Sequence, residues 1–267
     1  MRLKDKVVLI TASTRGIGYA CVEACAKEGA IVYMAARDPE RGRVAAEKLC
    51  AAGGRVKCVY NDAAKPETFI SMVDEAVKDA GRIDVLVNNF GTSNRQKDLD
   101  FANTEPEVFL DTVTLNLRSV FLASQTAARY MRKSGGGSII NISSIGGLVP
   151  DITQVAYGTS KAAINYLTRL IAVHEANHGI RCNAVLPGMT ATDAVKQHLT
   201  EEFRSLFLRH IPLGRMGLPK EIAAAVVYLA SDEAAYTTGQ IMAVSGGFGL
   251  ATPVYGDLCG NAERTES

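Results

Sequence analysis

Short runs of β-branched and other apolar residues recur along the chain, at Val7 to Thr11, Ile31 to Ala35, Val56 to Tyr60, Ile83 to Val87, Ser138 to Ile142, Ile180 to Leu186 and Ile241 to Val244. Each has the length of a strand, and most are continuous rather than alternating, as strands buried on both faces are. Between them lie longer segments, such as Pro39 to Ala51 and Pro66 to Ala80, whose apolar residues return every three or four positions. That is the period of a helix with one buried face, and both segments open on proline, which the first helical position tolerates. Gly29, Gly53-Gly54, Gly81, Gly135 to Gly137 and Gly179 stand where these helices should end. Strands alternating with helices predict an α/β fold, a doubly wound parallel sheet covered on both faces. The alternation lapses at one place, 189–215, a mixed polar and apolar stretch long enough for a lid over a substrate.

Composition narrows the class. A length of 267 residues suits a single large α/β domain spanning 1–267, with 47% hydrophobic and 21% charged residues as in an ordinary folded chain. Lys and Arg number 29 against 28 Asp and Glu, so no strong overall field would draw the chain to nucleic acid or to an anionic membrane. No apolar run approaches the roughly 18 residues of a membrane span, and the run Val7-Val8-Leu9-Ile10 is too short for a signal peptide. The cysteines (Cys21, Cys25, Cys50, Cys58, Cys182 and Cys259) are scattered without a Cys-x-x-Cys pair, which predicts reduced thiols and a cytoplasmic location. Cys21 and Cys25, which share a helix face, are read as small buried hydrophobes.

The first strand runs into Thr11-Ala12-Ser13-Thr14-Arg15-Gly16-Ile17-Gly18, after which a helical pattern begins at Tyr19. Small residues let such a turn approach a pyrophosphate, whose charge suits the free N–H groups at a helix start. Ala12 implies that the first bend avoids positive φ. The end of the second strand points to the cofactor. An acidic residue there would bond an adenosine ribose, but the chain reads Ala35-Ala36-Arg37, and Arg37 with Arg15 would clamp a 2′-phosphate. NADP(H) is therefore expected over NAD, with Asp38 read as a helix N-cap before Pro39 and, as the alternative, a ribose ligand.

Tyr157 and Lys161 stand four apart on one predicted helix face, with Ser144 thirteen residues before the tyrosine. An ammonium beneath the phenol would favour phenolate, Ser144 could donate to a carbonyl oxygen, and Asn116 could hold a water linking Lys161 to solvent. A competing pattern, His174-Glu175-Ala176-Asn177-His178, has the His-Glu-x-x-His spacing of a zinc site, but no third ligand pattern accompanies it and it closes the helix that carries Tyr157. No metal is expected. Asn141-Ile142-Ser143 matches a glycosylation acceptor but falls in a predicted central strand.

Taken together, the turn at 11–18, Asn88-Asn89-Phe90-Gly91, Asn116, Ser144, Tyr157 with Lys161, Pro187-Gly188 and Gly246-Gly247 resemble the short-chain dehydrogenase/reductase family across nearly the whole chain. The resemblance implies a Rossmann sheet of seven strands in order 3-2-1-4-5-6-7. It makes Tyr157 the general acid/base, Ser144 the group that positions the substrate oxygen, Lys161 a ribose ligand that lowers the tyrosine pKa, and Asn116 the keeper of a proton relay. Thr11, Ser13, Thr14, Arg15, Gly16, Ile17, Gly18, Arg37, Asp62, Ala63, Asn89, Gly91, Pro187, Gly188, Thr190 and Thr192 would line the cofactor groove, Asp62 on the adenine side. Phe90 departs from the family's usual alanine and adds bulk beside that groove. The whole chain also resembles bacterial members that act on the 7-alpha-hydroxyl of bile acids, which implies a hydroxysteroid substrate and a homotetramer. A lid carrying Met189, Ala194, Val195, Leu199, Phe203, Leu206, Phe207 and Leu208 and the 249–267 tail would border its pocket. The alternatives are a reductase of another carbonyl (a sugar, a 3-oxoacyl thioester or a xenobiotic ketone) and a dinucleotide-binding sensor without catalysis.

Overall fold

The structure is a computed structural model and describes residues 1–198, 200–252 and 255–259. Among these, seven strands form one parallel sheet in the order β3-β2-β1-β4-β5-β6-β7. The strands are β1 (Val7–Ile10), β2 (Ile31–Ala36), β3 (Arg55–Tyr60), β4 (Val85–Asn88), β5 (Gly137–Ile142), β6 (Ile180–Pro187) and β7 (Ile241–Val244). The crossovers are helices α1 (Gly16–Lys27), α2 (Pro39–Ala51), α3 (Thr68–Ala80), α4 (Pro106–Ser134) and α5 (Val155–Glu175). The chain after β6 holds α6 (Asp193–His198), α7 (Glu201–Leu208) and α8 (Pro219–Ala230), and α9 (Tyr255–Cys259) follows β7.

Continuous apolar strands follow from the two-sided core. Val8, Ile10, Val32, Met34, Val85 and Val87 face one side, against Val22 and Cys25 of α1, Leu49 of α2 and Ile222 and Val226 of α8. Their neighbours Val7, Leu9, Tyr33 and Leu86 face the other, against Phe69 and Met72 of α3 and Ala123, Ala127 and Met131 of α4. Because successive side chains point to opposite faces, a strand covered on both faces is apolar at most positions rather than at alternate ones. β1 pairs with β2 on one side and β4 on the other, so the winding reverses between them and opens a crevice at their C-terminal ends.

Several expectations are met locally. Asp38 caps α2, accepting from the N–H groups of Glu40 and Arg41, both at 3.1 Å. Gly81 and Gly135 end α3 and α4 in the left-handed region. Asn141 is fully buried in β5, where it bonds Asn88 and Thr168. Cys21, Cys25, Cys50, Cys58 and Cys182 are free thiols, while the side chain of Cys259 lies outside the described residues.

Three expectations need correction. Ala12 does not avoid positive φ: it stands at +50°. The conformation is held from outside the turn, since Asn89 Nδ2 donates to the carbonyls of both Thr11 (3.1 Å) and Ala12 (3.0 Å). The stretch at 189–215 is not the one place where the alternation lapses: it holds α6 and α7, whereas 89–105 contains neither helix nor strand. Its polar residues have no helical period, and Pro106 marks where α4 begins. The His-Glu-x-x-His string does not close a continuous α-helix. α5 stops at Glu175, His178 sits in a separate 3₁₀ turn, and Glu175 pairs with Arg132 at 2.6 Å. Two imidazoles four residues apart share a face only along an unbroken helix.

Candidate active site

The crevice begins with the β1–α1 turn. Thr11 is buried and its hydroxyl accepts from the backbone N–H groups of Asn89 and Phe90, both at 2.9 Å, which joins the turn to the end of β4. Ser13 is also buried and donates to the Ile10 carbonyl at 2.9 Å. The side chains of Thr11 and Ser13 thus build the turn, leaving its backbone and Thr14, Arg15 and Gly16 to face outward. Gly16 stands at φ +58°, and a Cβ on Gly18 would lie 2.5 Å from Asn89 Nδ2 and 2.6 Å from the Ala12 carbonyl oxygen. Neither position admits a side chain without rearrangement. Ile17 packs into the core beneath.

The rim of the crevice comes from neighbouring strand ends. Arg37 is exposed directly after β2. Asp62 follows β3, its carboxylate accepting from the Ala64 N–H at 3.1 Å, and Ala63 packs on the core. Phe90 meets Phe69 edge-on at 5.9 Å, so its bulk is taken up by the core. Gly188 lies against Ser245, which a Cβ would approach to 2.7 Å. Thr190 bonds the Gly188 carbonyl at 3.0 Å, and the methyl of Thr192 would stand 3.4 Å from a Cβ on Gly16. The start of the 189–215 stretch therefore lies against the glycine turn. Farther on, Phe207 of α7 stacks on Phe248 at 4.7 Å, while Phe203 and Leu206 are about half exposed. Leu199 and the side chains of Ala194 and His198 lie outside the described residues, as do 253–254 and 260–267 of the tail.

Ser144 follows β5 and accepts from the Gly146 N–H at 3.2 Å, while Tyr157 projects from the first turn of α5. The Ser144 hydroxyl lies near enough to the Tyr157 phenol to lower its pKa. Lys161, one turn on and 2% exposed, donates to the Ile142 carbonyl at 3.0 Å, and its ammonium lies 5.5 Å from the centre of the Tyr157 ring. Gly91 makes room for it, since a Cβ there would come within 2.8 Å of Nζ. Asn116 is buried in α4. Its amide donates to the Thr92 carbonyl and to Ser160 Oγ and its oxygen accepts from the Thr92 N–H, all at 2.9 Å. Its side chain ties the β4–α4 segment to α5.

Electrostatics here differ from the sequence reading. Burial holds the Tyr157 phenol above its ordinary value, against the Ser144 hydrogen bond and the charge of Arg95, which both lower it. Burial also disfavours the Lys161 ammonium and pushes its pKa down to about 8.

Two residues of this site were missed in the sequence. Asp98 is fully buried, and its carboxylate accepts from the N–H groups of Ala156 at 2.9 Å and Tyr157 at 3.0 Å. Arg95, three positions earlier, supplies the positive charge that acts on the phenol. No local pattern marked either; only the position of 92–105 between Gly91 and Pro106 could have drawn attention to them.

A family model described as enoyl-(acyl carrier protein) reductase matches residues 11–249. The chain is 48% identical over 258 residues to the 7alpha-hydroxysteroid dehydrogenase of Clostridium sardiniense, covering 97% of this chain and 98% of that one. The chain belongs to the short-chain dehydrogenase/reductase family. It is also 44% identical over 261 residues to the 7alpha-hydroxysteroid dehydrogenase of Paraclostridium sordellii, covering 97% and 98% of the two chains. Among solved structures, a 7 alpha-hydroxysteroid dehydrogenase complexed with NADH and 7-oxo glycochenodeoxycholic acid matches with a TM-score of 0.87 at 32% identity, over 92% of this chain and 95% of that one.

Short-chain dehydrogenase/reductases use a nicotinamide dinucleotide, and the residues of this crevice fit one. No side chain caps the first N–H groups of α1 and no acidic residue stands in its first turn, so those donors are open to a pyrophosphate. The glycine turn leaves no Cβ in the way. Arg15 and Arg37, exposed on either side of it, have no ion pair within the described residues.

Proposed function

We propose that this short-chain dehydrogenase/reductase interconverts the 7-alpha-hydroxyl and 7-oxo groups of bile acids or related hydroxysteroids, using NADP(H). The observation that carries the reading is the near-full-length similarity to 7alpha-hydroxysteroid dehydrogenases in a chain that groups Ser144, Tyr157 and Lys161 in the same crevice. When bound, the nicotinamide supplies the hydride acceptor for oxidation or the donor for reduction. In oxidation, Tyr157 as phenolate takes the substrate's hydroxyl proton while the carbinol C–H electrons leave as hydride, and in reduction the phenol returns the proton. Ser144 donates to the substrate oxygen and holds it beside Tyr157. Lys161 bonds the cofactor ribose, and Asn116, which keeps α4 and the preceding loop in register with α5, maintains the proton relay.

Arg15 and Arg37 support the choice of NADP(H), since two exposed guanidinium groups at the ribose end of the crevice, without an ion pair among the described residues, suit a 2′-phosphate. Thr11, Ser13, Thr14, Gly16, Ile17, Gly18, Asp62, Ala63, Asn89, Gly91, Pro187, Gly188, Thr190 and Thr192 complete the cofactor site, through backbone groups where their side chains are committed to the fold. We further infer that 189–215 and the 249–267 tail border the steroid within one domain over 1–267. A homotetramer paired through α4 and α5 and a cytoplasmic location belong to the same reading. The test is absorbance at the NADPH band with NADP⁺ and a panel of hydroxysteroids, sugars and simple alcohols. Turnover should be confined to 7-alpha-hydroxysteroids, and turnover of sugars or simple alcohols alone would overturn the assignment.

A further inference from the structure

Among the described residues most arginines are tied to a carboxylate or a carbonyl: Arg82 to Asp84, Arg132 to Glu175 and Arg215 to Glu221 are examples. Arg15, Arg37, Arg95, Arg118 and Arg169 have neither an ion pair nor a side-chain hydrogen bond. The first two flank the glycine turn and the last two lie on α4 and α5. Arg95 alone of the five stands at the reacting end of the crevice.

Its place is set from both sides. Two residues before it, Ser93 Oγ donates to Gln154 Oε1 at 3.2 Å. Three residues after it, Asp98 binds the N–H groups of Ala156 and Tyr157, and the Asp98 carbonyl accepts from the Gln154 N–H at 3.2 Å. The short arc between these anchors must pass beside the first turn of α5, and Arg95 is exposed on it. Lys97, also exposed, adds a second cation, while Asp98 is consumed by backbone donors and cannot neutralise either.

A bile acid carries its ionised group on a flexible side chain away from the ring hydroxyl. A cation that serves it must therefore stand beside the acid/base rather than on it, be exposed, and be free of protein carboxylates. We propose that Arg95 is a substrate-binding residue that pairs with the carboxylate, or conjugated acid group, of the side chain of the bile acid, and so selects acidic steroids over neutral ones. The proposal rests on the bile-acid reading above. An exposed guanidinium suits this task because its planar fork meets a carboxylate with two hydrogen bonds.

The test compares a 7-alpha-hydroxy bile acid with its methyl ester, which keeps the reacting hydroxyl and loses the charge, on wild type, Arg95→Ala and Arg95→Lys. Arg95→Ala should raise KM for the acid about tenfold and leave KM for the ester within about twofold, with Arg95→Lys between. A second measurement needs no turnover: a bile acid lacking the 7-hydroxyl should raise the Tm of wild-type protein and leave that of Arg95→Ala unmoved. Equal changes for acid and ester would overturn the proposal, as would a shift in the pH profile of kcat with both KM values unchanged, which would make Arg95 a residue that only tunes Tyr157. An absent Tm shift in wild type would overturn it too. If the Tm shift is present but neither steroid is turned over, the 7-alpha-hydroxyl assignment fails while the anion contact stands.

Discussion

The Asp98 carboxylate accepts a hydrogen bond from the backbone N–H of Tyr157 at 3.0 Å, so a group in the middle of the 89–105 segment caps the start of the helix of the acid/base residue. The N-cap residue of α5, Gln154, lies in the left-handed region and supplies no side-chain cap. Asp98 takes over that function from 58 residues away along the chain, with its other oxygen on Ala156. Removing it strands two N–H donors in the interior.

Asp98→Ala should accordingly lose about 3 kcal/mol of stability in denaturant titration and at least about tenfold in kcat, because Tyr157 loses its fixed starting point. The Kd for NADPH should stay within about twofold, since the glycine turn is not involved. Asp98→Asn, which keeps one acceptor, should fall between. Unchanged stability in the alanine variant would refute the role.

The pH dependence of oxidation should report Tyr157. Burial holds the phenol above its ordinary value, so the phenolate required for oxidation forms only as pH rises, and kcat for oxidation should climb through the alkaline range while reduction falls. Ser144 lowers that pKa through its hydrogen bond, so Ser144→Ala should shift the rise to higher pH and cost about 10² in rate. Tyr157→Phe should remove most turnover while NADPH still binds; substantial remaining activity would exclude the proposed role.

Lys161 should reduce stability near neutral pH. Its pKa in the fold is about 8, below that of an exposed lysine, so between pH 8 and its unfolded value of about 10.4 the unfolded chain binds more protons and stability rises with pH. Below pH 8 the full cost of the buried ammonium is present, about 3 kcal/mol. Lys161→Met should therefore be inactive yet more stable than wild type at pH 7, with the gain disappearing toward pH 10.5. A variant less stable at pH 7 would show that the bond to Ile142 outweighs the burial of charge.

Arg37 should decide between the two dinucleotides. Arg37→Asp exchanges a guanidinium for a carboxylate beside the expected 2′-phosphate and should raise KM for NADP⁺ by about 10² or more, with KM for NAD⁺ unchanged or lower. Steady-state kinetics with both cofactors reads this directly. Equal effects on the two would remove Arg37 from the phosphate site.

Features written into neighbouring residues were legible in the chain before it folded. The inner strands appeared because both faces are buried and most positions are apolar, α2 because Asp38 caps it before Pro39, and the Tyr157–Lys161 pair because four residues bring two side chains onto one helical face. Ala12 shows where that stops: its φ of +50° depends on Asn89, 77 residues distant, and no local preference of alanine announces it. The same holds for the tuning of the site. Burial of Tyr157 and Lys161, the cap supplied by Asp98 and the charge of Arg95 arise only when β4 and β5 pair and 89–105 folds against α5. Helical and strand periods are set within a few residues, whereas desolvation and long-range hydrogen bonds depend on which surfaces meet. The tertiary structure alone decided those.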